Sequence, residues 1–190
     1  MHTLPSNTIL SSLLGTLQHL SYDEAARRAR RIRIVLTDND GVLTDTGVYY
    51  GADGELFKRY SIRDGMGMER LRLLGVETGV ITGERSPNLR RRAEKLKLKH
   101  LYLGVKDKVA TIRRIRHDTG LSSEEIAYIG DDVNDFDIMD VIGEHGLTAA
   151  PSDAMPQIHE LAQYVCLWRS GNGAFRDFAE AIITLRLTSV

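Results

Sequence analysis

Ile32-Arg33-Ile34-Val35-Leu36-Thr37-Asp38-Asn39-Asp40-Gly41-Val42-Leu43-Thr44-Asp45 is an apolar run that stops at a pair of aspartates. Its first half predicts a buried strand, and its second half puts Asp38 and Asp40 at the carboxyl end of that strand. Alternate residues of extended backbone share a face, so the two carboxylates converge on one small site while Asn39 points away. Like charges that close repel unless a cation or a shared proton lies between them. The pair therefore asks for a divalent metal, a proton-transfer role, or both.

Outward from this stretch the pattern alternates. Val48-Tyr49-Tyr50, a Gly51-Ala52-Asp53-Gly54 turn and Glu55 to Tyr60 predict a β-hairpin. Helices over Asp64 to Leu74, Pro87 to Lys97 and Asp107 to Thr119 each precede a strand, at Glu77 to Ile81, His100 to Leu103 and Ile126 to Ile129. Shorter pieces follow at Leu147 to Ala149, Met155 to Leu161 and Tyr164 to Leu167. A closing helix starts at Ala174, with Phe175, Phe178, Ala179, Ile182 and Ile183 on one apolar face. Strands alternating with helices of this length predict an α/β fold with a doubly wound, Rossmann-like, mainly parallel sheet.

Upstream, residues 1–30 read as a helical extension and residues 31–190 as the domain proper. Ile9 to Leu17 is apolar but lacks the basic flank and cleavage site of a signal peptide, so an added helix is expected there. Ser21-Tyr22-Asp23-Glu24 looks like a helix start, with Ala25 to Arg31 following. The arginines of Arg27-Arg28-Ala29-Arg30-Arg31 have no interleaved aromatics and read as a solvated helix face rather than a nucleic-acid contact.

Composition agrees with a globular domain: 190 residues, 42% hydrophobic, 27% charged, net charge -1. Near-neutrality gives no general attraction to nucleic acid, and no run approaches the roughly 20 apolar residues of a membrane span. The lone cysteine, Cys166, allows no internal disulfide; it sits in an apolar run, as a buried small hydrophobe. A reducing, cytoplasmic setting is expected.

In open parallel sheets, ligands bind outside the carboxyl ends of the strands. Four groups fall at such ends: Asp38 with Asp40, Thr82-Gly83, Lys108, and Gly130-Asp131-Asp132-Val133-Asn134-Asp135. Any one alone is an ordinary turn, helix start or surface lysine. Their joint occurrence, in order and each at a strand end, marks one functional set, in which Thr82-Gly83 leading into a helix N-terminus is a natural phosphate cradle.

The ordered set DxDGV, Thr, Lys, GDDxxD resembles the haloacid dehalogenase superfamily from about Ile32 to the C-terminus. The resemblance implies a Mg²⁺-dependent phosphatase that works through an aspartyl phosphate. Asp38 would be the nucleophile and Asp40 the acid and base. Asp38, Asp131 and the backbone carbonyl of Asp40 would hold Mg²⁺; Thr82 and Lys108 would hold the phosphoryl group; Asp132 and Asp135 would orient water or Lys108. Asn39 departs from the family pattern, which has an apolar residue there.

Between the motifs lie only the Gly47 to Tyr60 hairpin, expected as a small flap, and the 83–129 stretch, so no cap domain fits. The chain looks like the capless branch acting on 3-deoxy-D-manno-octulosonate 8-phosphate (KDO 8-phosphate) and nine-carbon relatives. Thr44-Asp45-Thr46-Gly47, Lys58-Arg59-Tyr60-Ser61-Ile62-Arg63-Asp64-Gly65-Met66-Gly67 and Ser170-Gly171-Asn172-Gly173-Ala174-Phe175-Arg176-Asp177 carry that likeness, with Ser170 and Asn172 departing from it. It implies a homotetramer with hairpins at its centre and makes Arg176 a substrate contact. Glu84, Arg92 and Lys95 match residues that meet the sugar acid in 2-keto-3-deoxynononate 9-phosphate (KDN 9-phosphate) phosphatases, which favours the nine-carbon substrate. Another reading from the same resemblance is a non-catalytic partner of an acylneuraminate cytidylyltransferase. A pure scaffold has no need of the intact set Asp38, Asp40, Thr82, Lys108 and Asp131.

Overall fold

A computed structural model describes residues 15–188. Its strands are β1 (Thr16–Leu17), β2 (Ile34–Thr37), β3 (Tyr49–Gly51), β4 (Gly54–Phe57), β5 (Glu77–Thr82), β6 (His100–Leu103), β7 (Ile126–Ile129), β8 (Leu147–Ala150) and β9 (Tyr164–Val165). The helices are α1 (Tyr22–Arg31), α2 (Ile62–Leu73), α3 (Pro87–Leu96), α4 (Lys108–Thr119), α5 (Phe136–Gly143), α6 (Pro156–Leu161) and α7 (Ala174–Leu187).

Seven strands form one sheet in the order β1-β9-β8-β7-β2-β5-β6, parallel throughout except for β1 at one edge. The chain winds outward from β2 through β5 to β6. It then returns to the other side of β2 and winds outward again through β7, β8 and β9. The reversal falls between β2 and β7, where such sheets place their ligands.

Period-2 alternation within the central strands builds two cores. Val35, Ala127 and Ile129 face one side with α1, α2, α3 and α7, whereas Ile34, Leu36, Ile126 and Tyr128 face the other with α4, α5 and α6. The helix starts follow their caps: Ser21, Ser61, Ser86 and Asp107 each accept a backbone N–H with the side chain. Ala25, Ala26 and Ala29 bury one face of α1, while Arg28 reaches the carbonyls of Gly143 and Gly146 at 2.7 and 2.9 Å. Cys166 is buried, as expected.

Three features differ from the sequence reading. Of the helix expected over Ile9 to Leu17, residues 9–14 lie outside the described residues, and Thr16–Leu17 forms a strand paired with β9. Helix α5 has no counterpart in the reading: it starts at Phe136, directly after the acidic motif, whose last residue Asp135 is its N-cap. The second hairpin strand stops at Phe57, so Lys58 to Tyr60 leave the hairpin and turn toward the sheet.

The β3–β4 hairpin is a separate two-stranded sheet, and the described residues form no cap domain. Tyr49, Tyr50, Leu56 and Phe57 are all exposed on it, with the Tyr49 and Phe57 rings stacked at 4.5 Å.

Candidate active site

Asp38 directly follows β2, and its backbone N–H donates to Ile129 O at 3.0 Å, so the ends of β2 and β7 emerge side by side. This places Asp38 against the Gly130-Asp131 turn. Gly41 has φ +88°, and a Cβ there would collide with the Asp131 carboxylate. The glycine lets the two loops close to contact, which no L side chain would permit.

Lys108, the first residue of α4, binds the cluster together. Its Nζ lies 2.9 Å from Asp38 Oδ2 and 2.5 Å from Asp135 Oδ1, and it donates to Tyr128 Oη at 3.2 Å. Tyr128 Oη in turn donates to Asp135 Oδ1 at 2.6 Å, and Asp135 Oδ2 accepts the backbone N–H groups of Asp131 (3.0 Å) and Asp132 (3.5 Å). Asp135 thus spends its carboxylate on the protein. Asp132 caps the short 3₁₀ turn over Val133–Asp135 through its bond from Val133 N. Asp135 therefore orients Lys108, while Asp132 shapes the loop.

Carboxylate oxygens of Asp38, Asp131 and Asp135 lie within 4.8 Å of one another. Burial, then the neighbouring Asp135, pushes the Asp38 carboxyl up to about 7 against the pull of Lys108. Burial again, then the charges of Asp135, Asp38 and Asp132, pushes Asp131 up to about 8. Burial alone would lower Lys108, but the charges of Asp38 and Asp135 outweigh it and raise it. Three carboxylates facing one ammonium leave a deficit equal to the charge of one divalent cation. Asp131 Oδ1 is buried without a hydrogen-bond partner. An all-oxygen group with such an orphan fits a hard divalent cation such as Mg²⁺: Asp131 Oδ1 is unengaged, and Asp38, whose Oδ1 accepts Asn39 N at 2.6 Å and whose Oδ2 meets Lys108, would add an oxygen through a remaining lone pair.

Asp40 has a different environment. Its Oδ1 accepts from Asn39 Nδ2 (3.0 Å), Thr44 Oγ1 (3.2 Å) and Lys58 Nζ (2.8 Å), while Oδ2 accepts from Lys58 alone, also at 2.8 Å. Asn39 therefore does not point away from the pair: the backbone turns out of extended geometry after Asp38 and brings its amide onto Asp40. Lys58, to which the sequence assigns no role, has a side chain only 2% exposed and also lies 3.4 Å from Glu55 Oε2. Burial works to lower its pKa, but Asp40 and Glu55 raise it, so the ammonium stays charged. Its signal was the Lys58 to Gly67 segment, which resembles the family without specifying a partner.

The remaining sequence-selected residues spread outward. Thr82 is buried at the end of β5, where its Oγ1 accepts Glu84 N at 3.2 Å. Glu84 and Lys95 are exposed, and among the described residues neither forms an ion pair. Arg92 is half-buried, donating to Ser61 O at 2.9 Å and lying 5.8 Å above the Tyr60 ring. It thus faces inward, although Lys95 one turn on is solvated. Arg176 pairs with Glu180 at 2.7 Å along α7, and its backbone N–H donates to Asp64 at 2.9 Å. The segment before it seats on the first loop, with Gly171 N donating to Val42 O at 2.9 Å.

No family model matches the chain. The 3-deoxy-D-manno-octulosonate 8-phosphate phosphatase of Yersinia pestis is 35% identical over 161 residues, which are 85% of this chain and 84% of that protein. The cobalt-bound deoxy-D-mannose-octulosonate 8-phosphate phosphatase of Haemophilus influenzae superposes with a TM-score of 0.79 at 33% identity, covering 84% of this chain and 91% of that one. The Moraxella catarrhalis 3-deoxy-D-manno-octulosonate 8-phosphate phosphatase, solved with magnesium, phosphate and KDO, superposes with a TM-score of 0.81 at 28% identity, covering 86% and 92%.

Proposed function

Because the chain belongs to the 3-deoxy-D-manno-octulosonate 8-phosphate phosphatase family of haloacid dehalogenase-type hydrolases, we propose that it hydrolyses the phosphomonoester of a 2-keto-3-deoxy sugar acid. It is a phosphoric monoester hydrolase. The observation that carries the proposal is the buried Asp38–Lys108–Asp135 chain with the orphaned Asp131 oxygen beside it, at the switch point of the sheet.

Asp38 attacks phosphorus and the ester P–O bond breaks, while Asp40 gives its proton to the departing sugar oxygen. Asp40 then takes a proton from the water that attacks the aspartyl phosphate, which releases inorganic phosphate and restores Asp38. Thr82 and Lys108 hold the phosphoryl oxygens, and Asp135 with Tyr128 fixes the Lys108 ammonium between them and Asp38. Mg²⁺, held by Asp38, Asp131 and the Asp40 carbonyl, would neutralise charge on the transferring group.

The eight-carbon acid, KDO 8-phosphate, is the first substrate reading, since the named relatives act on it. The nine-carbon acid, KDN 9-phosphate, rests on Glu84, Arg92 and Lys95, of which Glu84 stands two residues beyond Thr82 with an unengaged carboxylate. Phosphate release from both acids and from generic sugar phosphates, with Mg²⁺ and with EDTA, tests the proposal. A sugar acid phosphate should exceed generic phosphosugars by at least about tenfold in kcat/KM, or roughly 1.4 kcal/mol of transition-state discrimination. Equal or slower turnover of both acids would remove the substrate assignment.

The exposed hairpin aromatics support a homotetramer with the hairpins at its centre, since contiguous apolar surface of this kind marks contact sites. A solution mass of one chain by light scattering would dismiss it. Among the described residues no helix is long and apolar enough to cross a membrane. We place the enzyme in the cytoplasm, where a sugar acid phosphate is its small-molecule partner and neither nucleic acid nor membrane is required.

A further inference from the structure

We infer that Lys58 is a positioning residue for proton transfer by Asp40, so that the base of the hairpin, not the sheet, sets where that carboxylate faces. The inference rests on the assignment of Asp40 as acid and base.

Asp38 is fixed by the sheet and by Lys108, but Asp40 lies beyond the end of β2, where only an isolated bridge to Thr44 pairs its backbone. What holds its side chain comes largely from outside the strand. Lys58 donates to both oxygens at 2.8 Å, from a position 18 residues along the chain. Oδ1 receives two further donors, Asn39 and Thr44, whereas Oδ2 receives only Lys58. Since a carboxylate oxygen offers two lone pairs, Oδ2 retains a free one, and the exchanged proton belongs there.

The anchor of Lys58 is itself anchored. Its ammonium meets Glu55 Oε2 at 3.4 Å, and Glu55 Oε1 accepts from Ser86 Oγ and from Asn88 Nδ2, the latter at 2.7 Å. Ser86 caps α3, the helix that follows Thr82 and Glu84. A continuous set of charge-assisted bonds therefore runs from the helix behind the phosphoryl-binding Thr82 through the hairpin to Asp40. A buried ion pair is a weak source of stability, and an apolar side chain of similar volume often serves stability as well or better. A lysine buried here and aimed at both oxygens of one carboxylate has a geometric use.

The test exploits the leaving group. A sugar alkoxide needs a proton to depart, whereas p-nitrophenolate leaves without one. In a covalent mechanism kcat/KM extends only to the first irreversible step, formation of the aspartyl phosphate, so the later action of Asp40 on water does not enter. Lys58→Met should lower kcat/KM for the sugar acid phosphate by about 10²–10³-fold, but for p-nitrophenyl phosphate by less than about tenfold. Lys58→Arg should recover part of the loss. Glu55→Gln, which keeps an oxygen acceptor for Ser86 and Asn88, should show a smaller loss with the same split. Should Lys58→Met fold poorly, as its melting temperature would reveal, the other two variants decide. Equal losses on both substrates, or none, would overturn the inference. Failure of the wild-type protein to hydrolyse either phosphate would instead remove the assignment of function.

Discussion

The two ends of the site are built in opposite ways. At the chemical end, Asp38, Lys108, Tyr128 and Asp135 are buried, and each is bonded to another member of the group. At the recognition end, Glu84 and Lys95 are exposed side chains, and Arg92 is spent on Tyr60 and Ser61. On the proposed assignment, the fold of one chain builds the reaction centre but leaves Glu84 and Lys95, the side chains assigned to the sugar acid, open to solvent. Damage at the first end should therefore cost turnover or folding outright, whereas damage at the solvated Glu84 and Lys95 should cost only affinity for particular substrates.

The sharpest attempt to break this contrast is Asp38→Asn. It removes the nucleophile while relieving a crowd of carboxylates, so kcat should fall by about 10⁴-fold or more with the melting temperature unchanged or higher. Turnover near the wild-type value would take the nucleophile role from Asp38. Lys108→Met tests the same end for stability. It leaves Asp38 and Asp135 buried without their shared cation, which should cost about 3–5 kcal/mol in urea unfolding at pH 8. A loss below about 1 kcal/mol would show that the cluster is not held by this lysine.

Metal and pH sharpen the comparison further. Without a cation, burial and mutual repulsion raise Asp38 to about 7 and Asp131 to about 8, above their unfolded values near 4. The folded form then binds more protons than the unfolded form, so this contribution to stability is present at low pH and lost as pH rises toward 8. Mg²⁺ competes with those protons. Its apparent affinity should strengthen across pH 6 to 8, and at 100-fold excess over its Kd it should add about 2.7 kcal/mol to stability. Asp131→Ala should abolish the thermal shift with Mg²⁺, whereas Lys95→Ala should leave it intact. A pH-independent shift, or one that survives Asp131→Ala, would put the cation elsewhere.

The contrast also explains what could be read from the sequence. The continuous apolar runs along Ile34 to Leu36 and Ile126 to Ile129 made these strands legible, because each central strand must serve two cores at once and is buried on both faces. Residues at strand ends, such as Asp38, Thr82 and Asp131, were legible for the same reason: position along a strand fixes position in the site. Lys58 was not, since its partner Asp40 is remote in sequence and a hairpin turn leaves no periodic mark. Asn39 was misread because period-2 geometry was carried beyond the strand that enforces it. Strand β1 has two residues, too few to alternate, and gains its identity solely from pairing with β9.

Weakest in expected effect, and most telling for specificity, are Glu84→Ala and Lys95→Ala. Both side chains are solvated, so each truncation should change stability by less than about 0.5 kcal/mol. If they meet the sugar acid, each removes one polar contact partly screened by water, worth roughly 1–1.5 kcal/mol, or about a tenfold rise in KM with kcat nearly unchanged. The loss should be larger for whichever of the eight- and nine-carbon acids is the better substrate, and absent for p-nitrophenyl phosphate, which has no carboxylate or sugar hydroxyls to recognise. Arg92→Ala should behave differently from both. Its guanidinium packs on Tyr60 and bonds Ser61, so its removal should lower stability as well as affinity. A KM effect at Arg92 without one at Glu84 or Lys95 would mean that recognition, like the chemistry, is carried by the buried side of α3, and the division between the two ends of the site would fail.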